Sequence, residues 1–452
     1  MEAVVIVGAG LAGLAAALGL HRKGVRSLVL ASGFAFATWK NAFRALDALG
    51  VGDKIRRQHL QAQTLRVMAS STGEIAQELD LTQQGKLGPN EMRCVRRDLL
   101  LQALEEELPR GTVRYSSRIV SIEDDGGVKV LHLADGSVIR AKHLRAACSA
   151  SMRSSASIYL QALVGCDGIN SVVAKWLGLA TPSYSGRSAA RGFAHYPDGH
   201  GFEPKFLQFS GNGFRSGMLP CNENDIYWFF TWTPSENDKG VDESATKMKQ
   251  FVLSKLRGSK VPAEALAVID RSEMSDVLAA PLRFRSPLSL ATASFARGNG
   301  GCSALEDGVV LARCLGDALL LPAAKGKEER IEAALREYAW IRRWRSVELV
   351  ATAYAVGFFH QSDSAVVSFL RDRFLSGVLA RRLLKMADYD CGTLIRSSTH
   401  CCRFLSCLGD ALLLPVAKDK EERIKAALHE YAWIRRWRSV ELVATAYAVG
   451  FI

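Results

Sequence analysis

Cysteine is scarce for the length, with 10 in 452 residues, and no two of them make a CxxC pair. That excludes a dense disulfide scaffold and a zinc ribbon, and it makes a reducing, cytoplasmic compartment the expectation. His400-Cys401-Cys402 with Cys407 is the one metal-like cluster, and its spacing fits no tetrahedral zinc pattern, so no metal is expected. Proline is also sparse, at 12 residues, and a content of 48% hydrophobic and 23% charged residues matches neither a fibrous nor a disordered composition. No apolar run approaches the roughly 20 residues needed to span a bilayer. The first apolar run starts at Val4, which leaves no space for a charged leader or signal core, so a soluble cytoplasmic chain is expected. No spaced Ser/His/Asp set or metal quartet suggests a hydrolase.

What remains is a globular chain long enough for two or three packed domains. Its net charge is +12, but the basic residues are scattered among acids and form no stripe interleaved with stacking aromatics, which argues against nucleic acid. Solvated helix faces account for most of them. Peripheral contact with an anionic membrane, or a cofactor phosphate, is the alternative.

Val4-Val5-Ile6-Val7 runs straight into Gly8-Ala9-Gly10-Leu11-Ala12-Gly13 and an Ala/Leu-rich helical pattern that ends near Lys23-Gly24. A second apolar run at 25–30 completes a βαβ unit, because a parallel strand returns after a crossover helix. Free amides at a helix N-terminus favour a diphosphate, and glycines keep side chains out of its approach. A glycine turn that serves only close packing is the bland alternative. The position between strand and helix favours dinucleotide binding. The acid that usually closes the second strand and holds the adenosine ribose is replaced by Ala31-Ser32-Gly33. A charge-assisted hydrogen bond is worth ~1.5–3 kcal/mol, so its loss weakens the cofactor roughly ten- to a hundred-fold. Asp47 and Asp53 lie too far along the chain to replace it.

Residues 112–142 alternate with period two around turns at 124–127 and 135–136, which predicts an antiparallel meander. Residues 143–162 are mostly Ser, Ala and Arg and are expected to be a surface insertion. Alternating runs at 205–209 and 225–232 predict a second, largely antiparallel sheet within 183–290, and the pattern is helical from Ala304 onward. Residues 314–358 recur as 407–451 with four differences in 45 positions, a duplication rather than a solenoid. Each copy carries an apolar stripe, in the first copy Ile331, Leu335, Tyr338, Ile341, Val347, Ala351 and Tyr354. The expected domains are 1–182, 183–290, 291–394 and a duplicated helical tail, 395–452, through which a dimer could form.

With Arg97-x-x-Leu100-x-x-x-Leu104 and the segment Asp167-Gly168-Ile169-Asn170-Ser171 added to the glycine turn and the meander, the chain resembles the FAD-dependent monooxygenases of the p-hydroxybenzoate hydroxylase class. It looks most like the plant flavin monooxygenases similar to zeaxanthin epoxidase, over residues 2–394 with gaps. The resemblance implies an α/β fold: a Rossmann-like FAD-binding domain with an inserted β-meander, a second mostly antiparallel substrate sheet and a helical C-terminal region. It implies FAD contacts at Gly8, Ala9, Gly10, Leu11, Ala12, Gly13 and Arg97, contacts to FAD and transient NADPH at Asp167 and Gly168, and a surviving flavin-turn glycine at Gly300. The usual arginine after the Asp-Gly motif is absent, with Ala174 and Lys175 in its neighbourhood. The second flavin motif is replaced by Ala296-Arg297-Gly298-Asn299-Gly300-Gly301-Cys302-Ser303. Gly316-Asp317 and Gly409-Asp410 follow helical residues and are not expected to substitute for it.

The implied reaction uses NADPH, FAD and O2 to place one oxygen atom on a small electron-rich organic substrate, with no protein nucleophile. Phe206, Phe209, Arg215, Tyr227, Phe229 and Trp232 are candidate substrate lining, and strand alternation puts only about half of them inward. Against this stands a catalytically inactive relative that binds or dimerises. A simple NAD dehydrogenase is disfavoured by the meander and the Asp-Gly motif.

Overall fold

The computed structural model describes residues 4–30, 36–125, 128–142, 157–159, 162–211, 213–238, 240–284, 300–321, 326–361 and 376–394, all within the unit Met1–Leu394. Among them the helices are α1 (Leu11–Arg22), α2 (Lys40–Leu49), α3 (Gly52–Gln58), α4 (Arg97–Glu106), α5 (Val172–Trp176), α6 (Ala245–Arg257), α7 (Ala263–Arg271), α8 (Gly301–Leu320), α9 (Lys327–Gln361) and α10 (Ser376–Ala387).

A four-stranded parallel sheet has the order Ala162–Gly165, Val4–Val7, Ser27–Leu30, Val113–Arg114. Its central strand is apolar at every position because both faces are covered. Val4 and Ile6 pack with α1 and α8, whereas Val5 and Val7 pack against the meander residues Ile122, Leu131 and Ile139. The meander consists of Ile119–Asp125, Val128–Leu133 and Val138–Lys142, paired antiparallel. Ser157–Tyr159 joins its last strand in parallel. The stretch expected to be an insertion thus contributes one strand, and Ala162 belongs to the parallel sheet. Residues 143–156 lie outside the described residues.

The second sheet has seven strands in the order Leu278–Phe284, Ser183–His195, Asp225–Trp232, Phe214–Pro220, Lys205–Gly211, Thr64–Ala69, Ile75–Asp80. Only the contact between Lys205–Gly211 and Thr64–Ala69 is parallel. Two of its strands therefore come from within the stretch 1–182. The alternation of buried and half-buried residues along Thr64–Ala69 marks a strand with one covered face. Which sheet it joins is settled by long-range packing, here of Leu65 and Val67 with Phe206 and Leu219.

Helix α1 lies alongside α8 at a distance that only small residues allow. A Cβ on Gly308 would come within 2.6 Å of the Ala15 Cβ and 2.8 Å of its carbonyl carbon, and one on Gly19 within 2.6 Å of the Ala312 Cβ. A Cβ on Gly316 would come within 3.1 Å of the Lys23 side chain. The matched pairs 15/308, 19/312 and 23/316 advance together, so the two helices run parallel and begin at the same end.

Two substitutions of the same type on α8 are expected to diverge. Gly308→Ala drives a methyl into a helix backbone and should lower the unfolding free energy by about 1–3 kcal/mol. Gly316→Ala meets only a flexible lysine chain and gains helix propensity, so its stability should be unchanged or slightly raised. Denaturant midpoints of the two variants check this contrast.

Candidate functional site

The turn after the first strand is shaped by steric exclusion. Gly8 has φ +102°, and a Cβ there would come within 2.4 Å of the Cys166 carbonyl oxygen and 2.8 Å of the Asp167 Cα. A Cβ on Gly13 would come within 1.8 Å of the Gly8 oxygen. The Gly8 N–H donates to Leu30 O at 2.7 Å and the Cys166 N–H donates to Val7 O at 2.7 Å, which ties the turn into the sheet. Helix α1 starts at Leu11 with neither a side-chain cap nor an acid in its first turn. Its first amides, with Ala9, Leu11 and Ala12 packed beneath in the core, are free to receive an anion.

Asp167 sits directly beside this turn. Its Oδ2 accepts from the Val172 N–H at 2.7 Å and the Val173 N–H at 3.3 Å, capping α5, while its Oδ1 is buried without a partner among the described residues. Gly168 follows with φ +78° and open space around it.

Arg97 opens α4, where the helix dipole disfavours a cation. Its Nε is buried without a hydrogen-bond partner among the described residues. Burial, with the charge of Arg191 nearby, pushes its pKa down to about 10, so the guanidinium stays charged at neutral pH and has no counter-charge among the described residues. His59 holds the start of this turn: its Nε2 accepts from the Arg96 N–H at 3.2 Å, and its Nδ1–H donates to Ile55 O at 2.9 Å. Burial, with Arg93 and Arg96 adding to it, pushes the His59 pKa below its ordinary 6.5.

The register of the seven-stranded sheet sorts the six candidate lining residues into two faces. Phe206, Arg215, Tyr227 and Phe229 share one face, since Gly217 opposes Phe229, Leu219 opposes Tyr227 and Arg215 opposes Thr231. Phe209 and Trp232 lie on the other and belong to the core formed with α6 and α7. They are packing residues, as the alternation of a strand requires. Arg191 opposes Phe229 across the sheet, and its charge acts on both Tyr227 and Arg97. The first face is thereby linked to the start of α4. Burial pushes the Tyr227 phenol well above its ordinary value, and it stays protonated.

A buried charge cluster went unread in the sequence. Glu306 and Asp307 on α8 are 0% and 2% exposed, and Arg342 and Arg345 on α9 are 4% and 6% exposed. Arg342 reaches Glu306 at 2.7 Å and Asp307 at 2.5 Å, and Arg345 reaches Glu306 at 2.9 Å. Both guanidiniums lie over Tyr389, at 5.2 and 4.5 Å. Burial opposes ionisation of Glu306, but Arg342 and Arg345 outweigh it and hold the carboxyl below its ordinary range. On the expected stripe, Ile331 and Tyr338 are buried, but the next positions buried after them are Arg342, Arg345 and Ser346, with Thr352 and Val356 further along. The legible signal was the pair of arginines three apart on the face below Tyr338.

Gly300 begins α8 with φ +73°. Gly316 and Asp317 lie within α8, and Asp317 pairs with Lys23 at 2.7 Å, between two helices and away from any strand end. Asp47 and Asp53 both pair with Arg56. Ala31, residues 296–299 and the His400 cluster lie outside the described residues. Among the described residues no group of His, Cys, Asp and Glu is placed to hold a metal. None of their helices is long and apolar enough to cross a membrane.

The family model for the FAD binding domain matches residues 1–289. Over 424 residues the chain is 40% identical to Monooxygenase 2 of Arabidopsis thaliana, covering 87% of this chain and 98% of that protein. Over 425 residues it is 32% identical to Monooxygenase 1 of the same plant, covering 86% and 99%. Among solved structures, Klebsiella pneumoniae HpxO complexed with FAD and uric acid has the same fold, with a TM-score of 0.67 at 20% identity over 86% of this chain and 96% of that one.

Removing one member of the buried cluster leaves its partners charged and unpaired. Glu306→Ala should therefore cost about 3–5 kcal/mol of stability, measured by denaturant unfolding. A second expectation concerns pH. Because the folded pKa of His59 is depressed, the unfolded chain binds its proton first as pH falls below 6.5. Stability should decline from there until pH drops below the folded pKa. In His59→Gln that segment of the stability profile should flatten.

Proposed function

The chain belongs to the FAD-binding monooxygenases of the p-hydroxybenzoate hydroxylase class, and on that premise we propose that it uses NADPH and O2 to hydroxylate or epoxidise a small electron-rich organic molecule. One observation carries the reading. A steric cradle at Gly8 and Gly13 adjoins the buried unpartnered Oδ1 of Asp167, and Arg97 carries a buried Nε with no partner of its own. Buried polar atoms are almost always satisfied, so these await a ligand that accepts from an arginine, donates to a carboxylate and sets an anion on helix amides. FAD has all three features: phosphate and ribityl oxygens that accept, ribityl hydroxyls that donate, and a diphosphate that carries the charge.

In this assignment the amides from Ala9 to Gly13 would hold the diphosphate, Arg97 the phosphate and ribityl side, Asp167 a hydroxyl donor, and Gly300 with the start of α8 the ring end. When bound, FAD supplies the redox chemistry that activates O2 with reducing equivalents from NADPH. The chain supplies orientation and dryness. Phe206 and Phe229 exclude water from their face of the sheet, and Tyr227 keeps its phenolic proton available as a hydrogen-bond donor.

Ala31 in place of the ribose-binding acid, and the altered segment 296–303, favour a second reading in which the chain retains the fold and binds ligands without turnover. The six described cysteines are free thiols, which supports a reducing cytoplasmic setting.

The protein incubated with FAD and freed of excess should retain flavin absorbance, and O2 uptake should accompany NADPH oxidation once substrate is present. Arg97→Ala should weaken FAD roughly ten- to a hundred-fold. A chain that takes up no flavin would overturn the enzyme assignment. Flavin retained without NADPH oxidation under any substrate would establish the second reading.

A further inference from the structure

Residues 59–62 run antiparallel to the strand Met92–Val95, which leads into α4. The Ala62 N–H donates to Met92 O at 2.8 Å, Gln61 bridges to Arg93, and Arg93 Nη1 donates to His59 O at 2.6 Å. This pairing sets the His59 ring, only 4% exposed, against the backbone of the residue that precedes Arg97.

The two hydrogen bonds of the ring fix its protonation state by themselves. A backbone N–H only donates, so Nε2 must offer a lone pair to Arg96 at 3.2 Å. A carbonyl only accepts, so Nδ1 must carry a hydrogen toward Ile55 O at 2.9 Å. One neutral tautomer satisfies both partners. A proton on Nε2 would set two N–H groups against each other in a buried site, and that contact would have to open.

What opens is the first turn of α4. Arg96 stands at its N-cap with no side-chain cap, and two polar ties join it to other parts of the fold. Its N–H reaches His59, and its Nη1 reaches Asp225 Oδ2 at 3.0 Å. The pair with Asp98 at 2.8 Å stays within the same turn. Leu100, Ala103 and Leu104 anchor the rest of α4 in the core, so release of His59 loosens the turn and leaves the helix in place. Arg97 is the next residue, and its direction follows that of the turn.

The charged groups facing His59 are Arg93 from the neighbouring strand, with Glu91 paired to it, and Arg96 and Asp98 from α4. Burial first, then Arg93 and Arg96, disfavours the imidazolium and outweighs Ile55 O and Asp98, which favour it. His195 is a second imidazole tied to this turn, through Asp225 Oδ1 at 2.7 Å. Its contact needs no lone pair, because its Nδ1–H donates to the carboxylate whether or not the ring is charged.

We propose that His59 is a positioning residue for the cofactor-binding arginine: neutral, it holds the Arg96 N–H and sets Arg97 toward FAD, and protonated it releases the turn, so that proton uptake at His59 and FAD binding oppose each other. The cofactor half rests on the FAD assignment. The hold on the turn does not.

The opposition is reciprocal. Since the proton prefers the flavin-free form, FAD affinity is full above the flavin-free pKa of His59 and falls below it, by at most about tenfold per pH unit. It levels off below the pKa of the flavin-bound form.

Quenching of flavin fluorescence on the full-length chain, from about pH 8 to about pH 5, measures this. Protection of the Arg96 and Leu100 amides against hydrogen exchange, without flavin, supplies a second readout, because these donate to His59 and to Arg96 O. Wild type should lose FAD affinity about three- to tenfold across the range, and both amides should lose protection over the same interval. His59→Gln offers an acceptor and a donor but takes no proton, so it should bind FAD within about twofold of wild type at the upper pH and stay level as pH falls. His59→Leu has no acceptor and should be about three- to tenfold weaker throughout, with no slope. If it does not fold, the comparison with His59→Gln decides. His195→Gln should keep the wild-type slope. A flat wild-type profile, a slope that survives His59→Gln, or amide protection unchanged by acid would each overturn the proposal. Failure to take up FAD at any pH would remove the monooxygenase assignment, and amide protection would then decide whether His59 holds the turn.

Discussion

The close parallel contact between α1 and α8 is the constraint on which the candidate site depends. Parallel helices place their like-signed ends side by side, an arrangement that is electrostatically unfavourable by itself. Here the contact is held by the absence of side chains at Gly308 and Gly19, by the apolar core around them, and by Lys23 reaching Asp317 at the far end. The result brings the amides before Ala12 and those after Gly300 to one end of the molecule. Two positive helix termini that would repel each other share whatever anion lies between them, so the packing and the ligand stabilise the same arrangement.

Charge within the fold follows a consistent division. Where α9 packs against α8, the buried guanidiniums of Arg342 and Arg345 meet carboxylates, and the cluster of Glu306, Asp307, Arg342 and Arg345 is close to neutral as a unit. Such a cluster adds little net stability compared with apolar packing, but its geometry is demanding, and it fixes the rotation of α8 and hence the direction of its first turn. Where the chain faces the proposed cofactor, the guanidinium of Arg97 lacks that compensation among the described residues. The same residue type is structural in one place and receptive in the other, and what separates the two is whether a carboxylate stands within reach.

Much of this was legible in the sequence because it is local. Val4–Val7 followed by Gly8, Gly10 and Gly13 carries its own periodicity and turn chemistry, and the period-two alternation around Gly136 marks a meander without help from distant residues. Alternation also divided the six lining candidates in half, although it could not say which half, since Phe209 and Trp232 differ from Phe206 and Phe229 only in what packs against them. The illegible features are long-range. The membership of Thr64–Ala69 in the second sheet depends on Phe206, some 140 residues later in the chain by their numbering. The role of Arg342 depends on Glu306, and a stripe of apolar residues at helical spacing gave no warning that its buried face turns polar after Tyr338. Gly308 reads in sequence as a weak helix residue, and its purpose appears only when Ala15 is set against it.

The distance along the chain between α1 and α8 has a consequence for how the protein is made. Ala15 leaves the ribosome 293 residues before Gly308, an interval of about 15–60 s at ordinary elongation rates. Throughout it the apolar flank of the first helix has no permanent cover, and the ligand-receiving end of the nascent chain has only one of its two helix termini. Completion of that end is therefore a late event in biosynthesis, and the emerging N-terminal segment spends the whole of that interval before its helix partner is made.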